Sequence, residues 1–347
     1  MQVVFLVLEH LFPEDWLEKK VRYAFLLGFL FSLLGIFVAK MIFGASSGIV
    51  SVVFVSLLLI PSMRKLFDDE EKLEEHEKAF SLKHLYRDNK HLFEAYTGVF
   101  LGIFVAYLSA TFLLPMFGYN VLNIFKEQLF LDPAISGRAT FDLALFFSIL
   151  ENNWLVLLAT FLLALLGGDG ALFFIAWNAS AWGSIFGYRA LTASWYADAN
   201  PFWYLLILLG IVIWHVLLEA AAYICAAISG AVISDDVIKE SGEIKRFLGF
   251  IALALTITLF SYWVFTKLLS SSIVITFFMM ILVISSLYFL GKTFTNKKHR
   301  EVFIYNYWLF IIALILFLVG AFVESFVLQS SDTLATIYQQ SMLFTKG

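Results

Sequence analysis

The sequence predicts an all-α integral membrane protein, a polytopic bundle of about nine transmembrane helices that forms a single domain over residues 1–347. Hydrophobic residues make up 61% of the chain and charged residues only 14%, and the mean hydropathy is +0.87. Soluble domains average about 45–50% apolar and about 25% charged residues. The apolar residues also form runs of membrane-crossing length, and a helix satisfies its own backbone groups in lipid.

The predicted elements begin with residues 1–22, whose mixed apolar and charged positions predict an amphipathic helix on the membrane surface. A second interfacial helix is predicted at about 119–131, and a short polar tail ends the chain. Spans four and five are joined by a tight glycine-rich turn at 167–170. The nine spans are predicted at about 24–43, 48–63, 95–116, 148–166, 171–188, 202–233, 247–267, 273–290 and 303–325.

The main soluble segment is the charged stretch 64–94, which predicts a helix or helical hairpin in the cytoplasm. Leu66, Leu73 and Phe80 repeat every seven residues and would form a narrow apolar stripe. The favoured interpretation is a solvated helix that packs against its own bundle. The alternative is a surface that docks a membrane or cytoplasmic protein partner.

The basic residues predict the orientation. With the amino terminus in the cytoplasm, the inside segments hold 17 Lys and Arg residues and the outside segments hold five. This asymmetry predicts a multi-pass protein of the cell membrane with its carboxyl terminus outside. The net charge of −4 and the absence of a basic cluster with aromatic residues argue against nucleic acid as a partner.

Polar residues at membrane depth are costly, so each of them requires a reason. His215 and Glu219 lie four residues apart and share a helix face with Ala222, Ala226 and Gly230, a stripe of small residues that lets another helix approach. The candidate polar network consists of Asn152, Asn153, Asn178, His215 and Glu219, with Glu151, Asp169 and Glu324 as secondary candidates.

The favoured interpretation of this network is a set of hydrogen bonds that fixes how three helices pack, and a pathway for protons or ions is the main alternative. A metal site is disfavoured because two ligands on one helix are too few. Neither a catalytic residue nor a cofactor is predicted, because no constellation for nucleophilic catalysis or phosphate binding is present.

Several elements of residues 148–233 resemble the stage II sporulation protein M family, in the manner of its archaeal-type members. Members typically have paired asparagines at the head of one span, an aromatic-Asn-small element followed by glycines, and His-Gly-x-x-Glu. The matching elements are Ile149–Asn153, the turn 167–170, Trp177–Ser180, Gly183, Gly187 and His215–Glu219, and in the last of them Val216 replaces the usual glycine. Within the carboxyl-terminal spans, 247–325, Ala321–Glu324 extends the resemblance, whereas spans seven and eight are an addition.

The resemblance implies a non-enzymatic scaffold or localisation subunit of a membrane complex. The name-giving member of the family is a membrane subunit that holds cell-wall hydrolases in a complex and is not itself a hydrolase. Self-association into a homo-oligomer is left open. The alternative function is a transporter or channel for lipid or a small solute, with proton coupling through the network of spans four to six.

Overall fold

The computed structural model describes residues 21–44, 47–74, 87, 89–129, 143–234, 249, 252, 256 and 272–346, and each regular element in them is helical. The helices are α1 (Val21–Phe43), α2 (Ser47–Glu74), α3 (Lys90–Leu113), α4 (Val121–Ile124), α5 (Lys126–Leu129), α6 (Leu143–Gly167), α7 (Ala171–Tyr196), α8 (Pro201–Val232), α9 (Ser272–Thr293), α10 (Lys297–Ser330) and α11 (Asp332–Lys346). A single 3-10 turn, Leu114–Phe117, follows α3.

Six of the described helices are long and apolar enough to cross a membrane. They are Val21–Phe43, Ser47–Arg64, Lys90–Phe117, Leu143–Gly167, Pro201–Val232 and Lys297–Ser330. The shortest has 18 residues, which is about 27 Å at 1.5 Å per residue and close to the thickness of the hydrocarbon core. The described elements confirm the predicted all-α fold, and the six apolar helices agree with a multi-pass membrane protein. They coincide with predicted spans one, two, three, four, six and nine.

The other three predicted spans have different outcomes, so the total of nine stays a prediction. Span five lies on α7, which is a continuous helix but is less apolar than the six. Span eight lies on α9, whose described apolar part, Phe277–Thr293, is shorter than the six. Span seven, at 247–267, lies outside the described residues except for isolated helical positions. The predicted surface helix at 1–22 also lies almost wholly outside them.

Helix α7 can carry polar residues because protein rather than lipid surrounds it. Eighteen of its 26 residues are buried, against α3, α8, α11, α2 and α6. Gly183 and Gly187 face α3, and a Cβ on Gly187 would lie 2.6 Å from the carbonyl oxygen of Leu108. Only a glycine permits this distance between the two helix backbones. The structure therefore places α7 at the centre of the bundle.

Contacts at the helix ends show which of them lie together. Arg64, at the end of the apolar part of α2, donates from Nε and Nη2 to Oδ2 of Asp169 at 2.9 and 2.5 Å. This pair joins α2 to the α6–α7 turn. At the opposite end, Ser47 Oγ donates to the carbonyl oxygen of Ile124 at 3.4 Å. Both contacts agree with the predicted alternation of spans, whereas the cytoplasmic assignment of the amino terminus stays a prediction.

The directions of the later helices agree as well. Asn153 of α6 contacts Glu219 of α8, and further along both helices a Cβ on Gly230 would lie 2.6 Å from the carbonyl oxygen of Phe161. Helices α6 and α8 are therefore parallel, so α7 runs back between them. Helix α10 is antiparallel to α8, because Ser229 Oγ donates to the carbonyl oxygen of Asn306 at 2.7 Å near the other end of the pair.

Two connecting regions differ from the sequence prediction. Within 119–129 the structure has the one-turn helices α4 and α5 in place of one interfacial helix, because Val121, Ile124 and Phe125 are buried in the bundle. The expected polar tail is the helix α11, whose apolar residues recur at helical spacing and are buried. Its buried residues include Leu334, Ile337, Tyr338 and Ser341, and Ser341 Oγ contacts Thr192 Oγ1 of α7 at 2.6 Å.

Candidate functional site

Three helices each contribute one polar side chain to a cluster inside the bundle: Asn153 from α6, Glu219 from α8 and Glu324 from α10. The family-like asparagine pair places Asn153 on the buried face of α6, while its neighbour Asn152 is exposed. Gly320 lets α10 approach α8, because a Cβ there would lie 2.9 Å from Cγ of Glu219. The small residue therefore brings the second acid next to the first.

A single amide nitrogen connects the two acids. Nδ2 of Asn153 donates to Oε1 of Glu219 at 3.0 Å and lies 3.4 Å from Oε2 of Glu324. This shared nitrogen brings the carboxyl groups of Glu219 and Glu324 next to each other. Nδ2 of Asn152 donates to Oδ1 of Asn153 at 3.3 Å, which fixes the orientation of the central amide.

This acid pair is enclosed by the helix bundle. Glu219 is 2% exposed and Asn153 is 9% exposed, whereas Glu324 is half-buried. Glu219 is about 24 Å along α8 from Trp203 and about 22 Å from Ser234 at 1.5 Å per residue. It therefore lies near the middle of this long apolar helix.

Two further polar side chains flank Glu219 on the same face of α8. His215, one turn before it, is 3% exposed, and its Nδ1 has no hydrogen-bond partner among the described residues. Tyr223, one turn after it, is 2% exposed, and within the same part of the chain its hydroxyl has none either. This face of α8 therefore carries three titratable side chains, one turn apart: His215, Glu219 and Tyr223.

The structure brings only some of the predicted site residues together. It brings Asn153, Glu219 and Glu324 together, with Asn152 attached and His215 one turn away. Among the described residues, no hydrogen bond joins Asn178 to them; its Nδ2 donates to the carbonyl oxygen of Phe174 on its own helix at 2.7 Å. Glu151 is half-buried, with no contact to the acid pair among the described hydrogen bonds. Asp169 is at the α6–α7 turn, paired with Arg64.

Sequence reasoning missed Tyr223 and ranked Glu324 too low. Tyr223 could have been found by continuing the four-residue spacing of His215 and Glu219 for one more turn. The sequence indicated Glu324 more weakly. It is a lone acidic residue near the end of the last predicted span, and it follows the small residues Gly320 and Ala321. The contact between residues 219 and 324 joins two helices that are far apart in the sequence.

The cluster can hold a proton, but it lacks the parts of several other kinds of site. The ion pairs found in the described part of the chain, Arg64–Asp169, Lys90–Glu94 and Lys297–Glu301, do not include these two acids. Among the same residues, no group of three His, Cys, Asp or Glu is placed to hold a metal ion. The single cysteine, Cys225, is buried and free.

The fold and the cluster together define the class of protein: a multi-pass helical membrane protein with a buried acidic site between three of its helices. Comparisons with family models, with curated proteins and with solved structures gave no match.

Proposed function

We propose that this chain is a non-enzymatic scaffold subunit that positions a partner protein at the cell membrane, as its resemblance to the stage II sporulation protein M family implies. The observation that supports the proposal is where the motif residues lie. Asn153 and Glu219 join α6 to α8, and Gly183 and Gly187 lie against α3. The motif residues therefore make a rigid bundle, which is what a scaffold requires.

The proposed docking element begins at α2. This helix continues past Arg64, where its apolar part ends, to Glu74. The ion pair of Arg64 with Asp169 ties the start of this extension to the α6–α7 turn. The described part of this extension, up to Glu74, therefore starts from a defined position on the bundle. In the proposed orientation the charged segment 64–94 faces the cytoplasm and recruits the partner.

The test is purification of the full chain from native membranes, followed by identification of bound proteins. We expect the triple variant Leu66→Ser, Leu73→Ser and Phe80→Ser to release the partner while the chain remains folded in detergent. The charge-neutral control pair Lys72→Ser and Glu74→Ser leaves the apolar stripe intact and should keep the partner. Loss of the fold in the triple variant would show that the stripe is internal packing and would count against docking at this segment.

A second candidate, a transporter, is favoured by the acid pair Glu219–Glu324 in the bilayer interior. Buried ionisable residues in membrane helices often mark proton or solute pathways. The assay is a pH-sensitive dye inside proteoliposomes that contain the purified chain. A transporter predicts proton flux that Glu219→Gln abolishes without unfolding the protein. A scaffold predicts no flux above that of empty liposomes.

A further inference from the structure

The arrangement of the acid pair favours a bound proton. Glu219 and Glu324 both lie beside Nδ2 of Asn153, at 3.0 and 3.4 Å, which brings their carboxyl groups next to each other. Carboxylate oxygens only accept hydrogen bonds, so a direct hydrogen bond between the two acids forms only while one of them carries a proton. Two ionised carboxylates at this separation, away from water, would repel each other strongly.

No basic side chain replaces that proton among the described residues. Helix α6 presents the uncharged amide of Asn153 to the pair, and α10 presents Glu324 itself. Helix α8 presents His215 and Tyr223, one turn on either side of Glu219. The ion pairs found in the described part of the chain, Arg64–Asp169, Lys90–Glu94 and Lys297–Glu301, lie elsewhere.

The hydroxyl of Tyr223 is a further polar group beside the acid pair. Among the described residues it is buried without a hydrogen-bond partner, which is an unfavourable state for a polar group. The tyrosine ring stacks on Trp182 at a centroid distance of 6.3 Å. The hydroxyl lies on the face of α8 that carries Glu219, one turn further along. It is a donor available to a carboxylate oxygen once a carboxyl side chain moves towards it, because rotation of the O–H alone does not change the distance between the two oxygens.

We propose that Glu219 and Glu324 form one proton-binding site inside the helix bundle, where the two carboxyl groups share a single exchangeable proton and Tyr223 donates to the pair when that proton leaves. On binding, a proton from water forms an O–H bond with one carboxylate, and the charge of the pair changes from −2 to −1. The O–H bond of Tyr223 is not broken. The site goes beyond the scaffold function and would exist in a transporter as well.

The test is labelling of the full chain in detergent with dicyclohexylcarbodiimide, an apolar reagent that adds to protonated carboxyl groups. Peptide mass spectrometry then locates the label. We expect one label per molecule, on Glu219 or Glu324, that declines as the pH rises. Glu301 is the control, because its side chain is 62% exposed and lies outside the apolar interior into which the reagent partitions.

Two variants separate a shared proton from a merely buried acid. In Glu219→Gln, we expect labelling of Glu324 to decline at a pH lower by about one unit or more, because its ionisation no longer places two negative charges together. In Tyr223→Phe, labelling should persist to higher pH, because the donor to the ionised pair is lost. A structural role for the tyrosine would produce no such shift.

The proposal is overturned if neither acid of the folded wild-type chain is labelled at any pH, a result that needs no variant. It is also overturned if labelling of Glu324 in Glu219→Gln declines at the same pH as labelling in the wild-type chain. If labelling in Tyr223→Phe declines at the wild-type pH, Tyr223 is not part of the site. Failure here is distinct from failure of the scaffold function, because partner copurification is measured separately.

Discussion

Replacement of Glu219 by leucine or by glutamine tests whether the buried cluster holds α6, α8 and α10 together. Leucine removes the acceptor for Asn153 and the polar group that lies next to Glu324. A hydrogen bond between membrane helices contributes on average about 0.6 kcal/mol, and a buried polar group left without a partner costs about 1–3 kcal/mol. We therefore expect Glu219→Leu to lower the free energy of unfolding by about 1–3 kcal/mol.

Glutamine keeps the length of the side chain and both hydrogen bonds. Its Oε1 accepts from Asn153, and its Nε2 donates to Glu324 in place of the shared proton. We therefore expect a loss below about 0.5 kcal/mol, since both buried partners stay satisfied. The assay is reversible unfolding in detergent micelles, compared with Trp214→Leu, a change at a position of the same helix that is 67% exposed.

The same two variants separate the proposed functions. A scaffold tolerates Glu219→Gln in both stability and partner recovery, whereas a proton-coupled transporter folds normally and loses flux. If leucine proves as stable as glutamine, the cluster does not hold the helices together. If both variants are also silent in function, the assignment of the site to Glu219 is wrong.

Three further predictions concern packing, the ion pair and topology. Gly320→Ala should destabilise the chain by about 1–3 kcal/mol through overpacking against Glu219. The control Gly210→Ala should not, because no described atom lies within 4 Å of a Cβ there. Equal melting temperatures of the two variants would refute this packing. Asp169→Asn should cost about 1 kcal/mol or less, because Arg64 is 63% exposed, and a large loss of stability in unfolding experiments would contradict this. Single cysteines in 64–94 and at the 167–170 turn should react with a membrane-impermeant thiol reagent from the same side, and reaction from opposite sides would contradict the arrangement of α2 and α6.

The amino-acid sequence was sufficient to predict an all-helical chain with several helices apolar enough to cross a membrane. Hydropathy is a property of each local segment, because the cost of placing a run of residues in lipid does not depend on its neighbours. Six predicted spans therefore coincide with six apolar helices. The same local argument was weakest for α7 and α11. The polar and small residues of α7 are stabilised by burial against other helices. The buried stripe of α11 becomes apparent once this helix packs on α7 and α8.

The candidate site was predictable only in part. Periodicity identified His215 and Glu219 as neighbours on one face, because four residues are close to one helical turn. It could not show that Glu324 is the partner of Glu219, or that Asn178 donates to its own helix. Those outcomes depend on which faces of α6, α8 and α10 meet, and the close approach at Gly320 decides this. The sequence by itself determined a helical membrane protein with costly polar residues, and only the tertiary structure joined two of its acids, because their contact lies between helices distant in the chain.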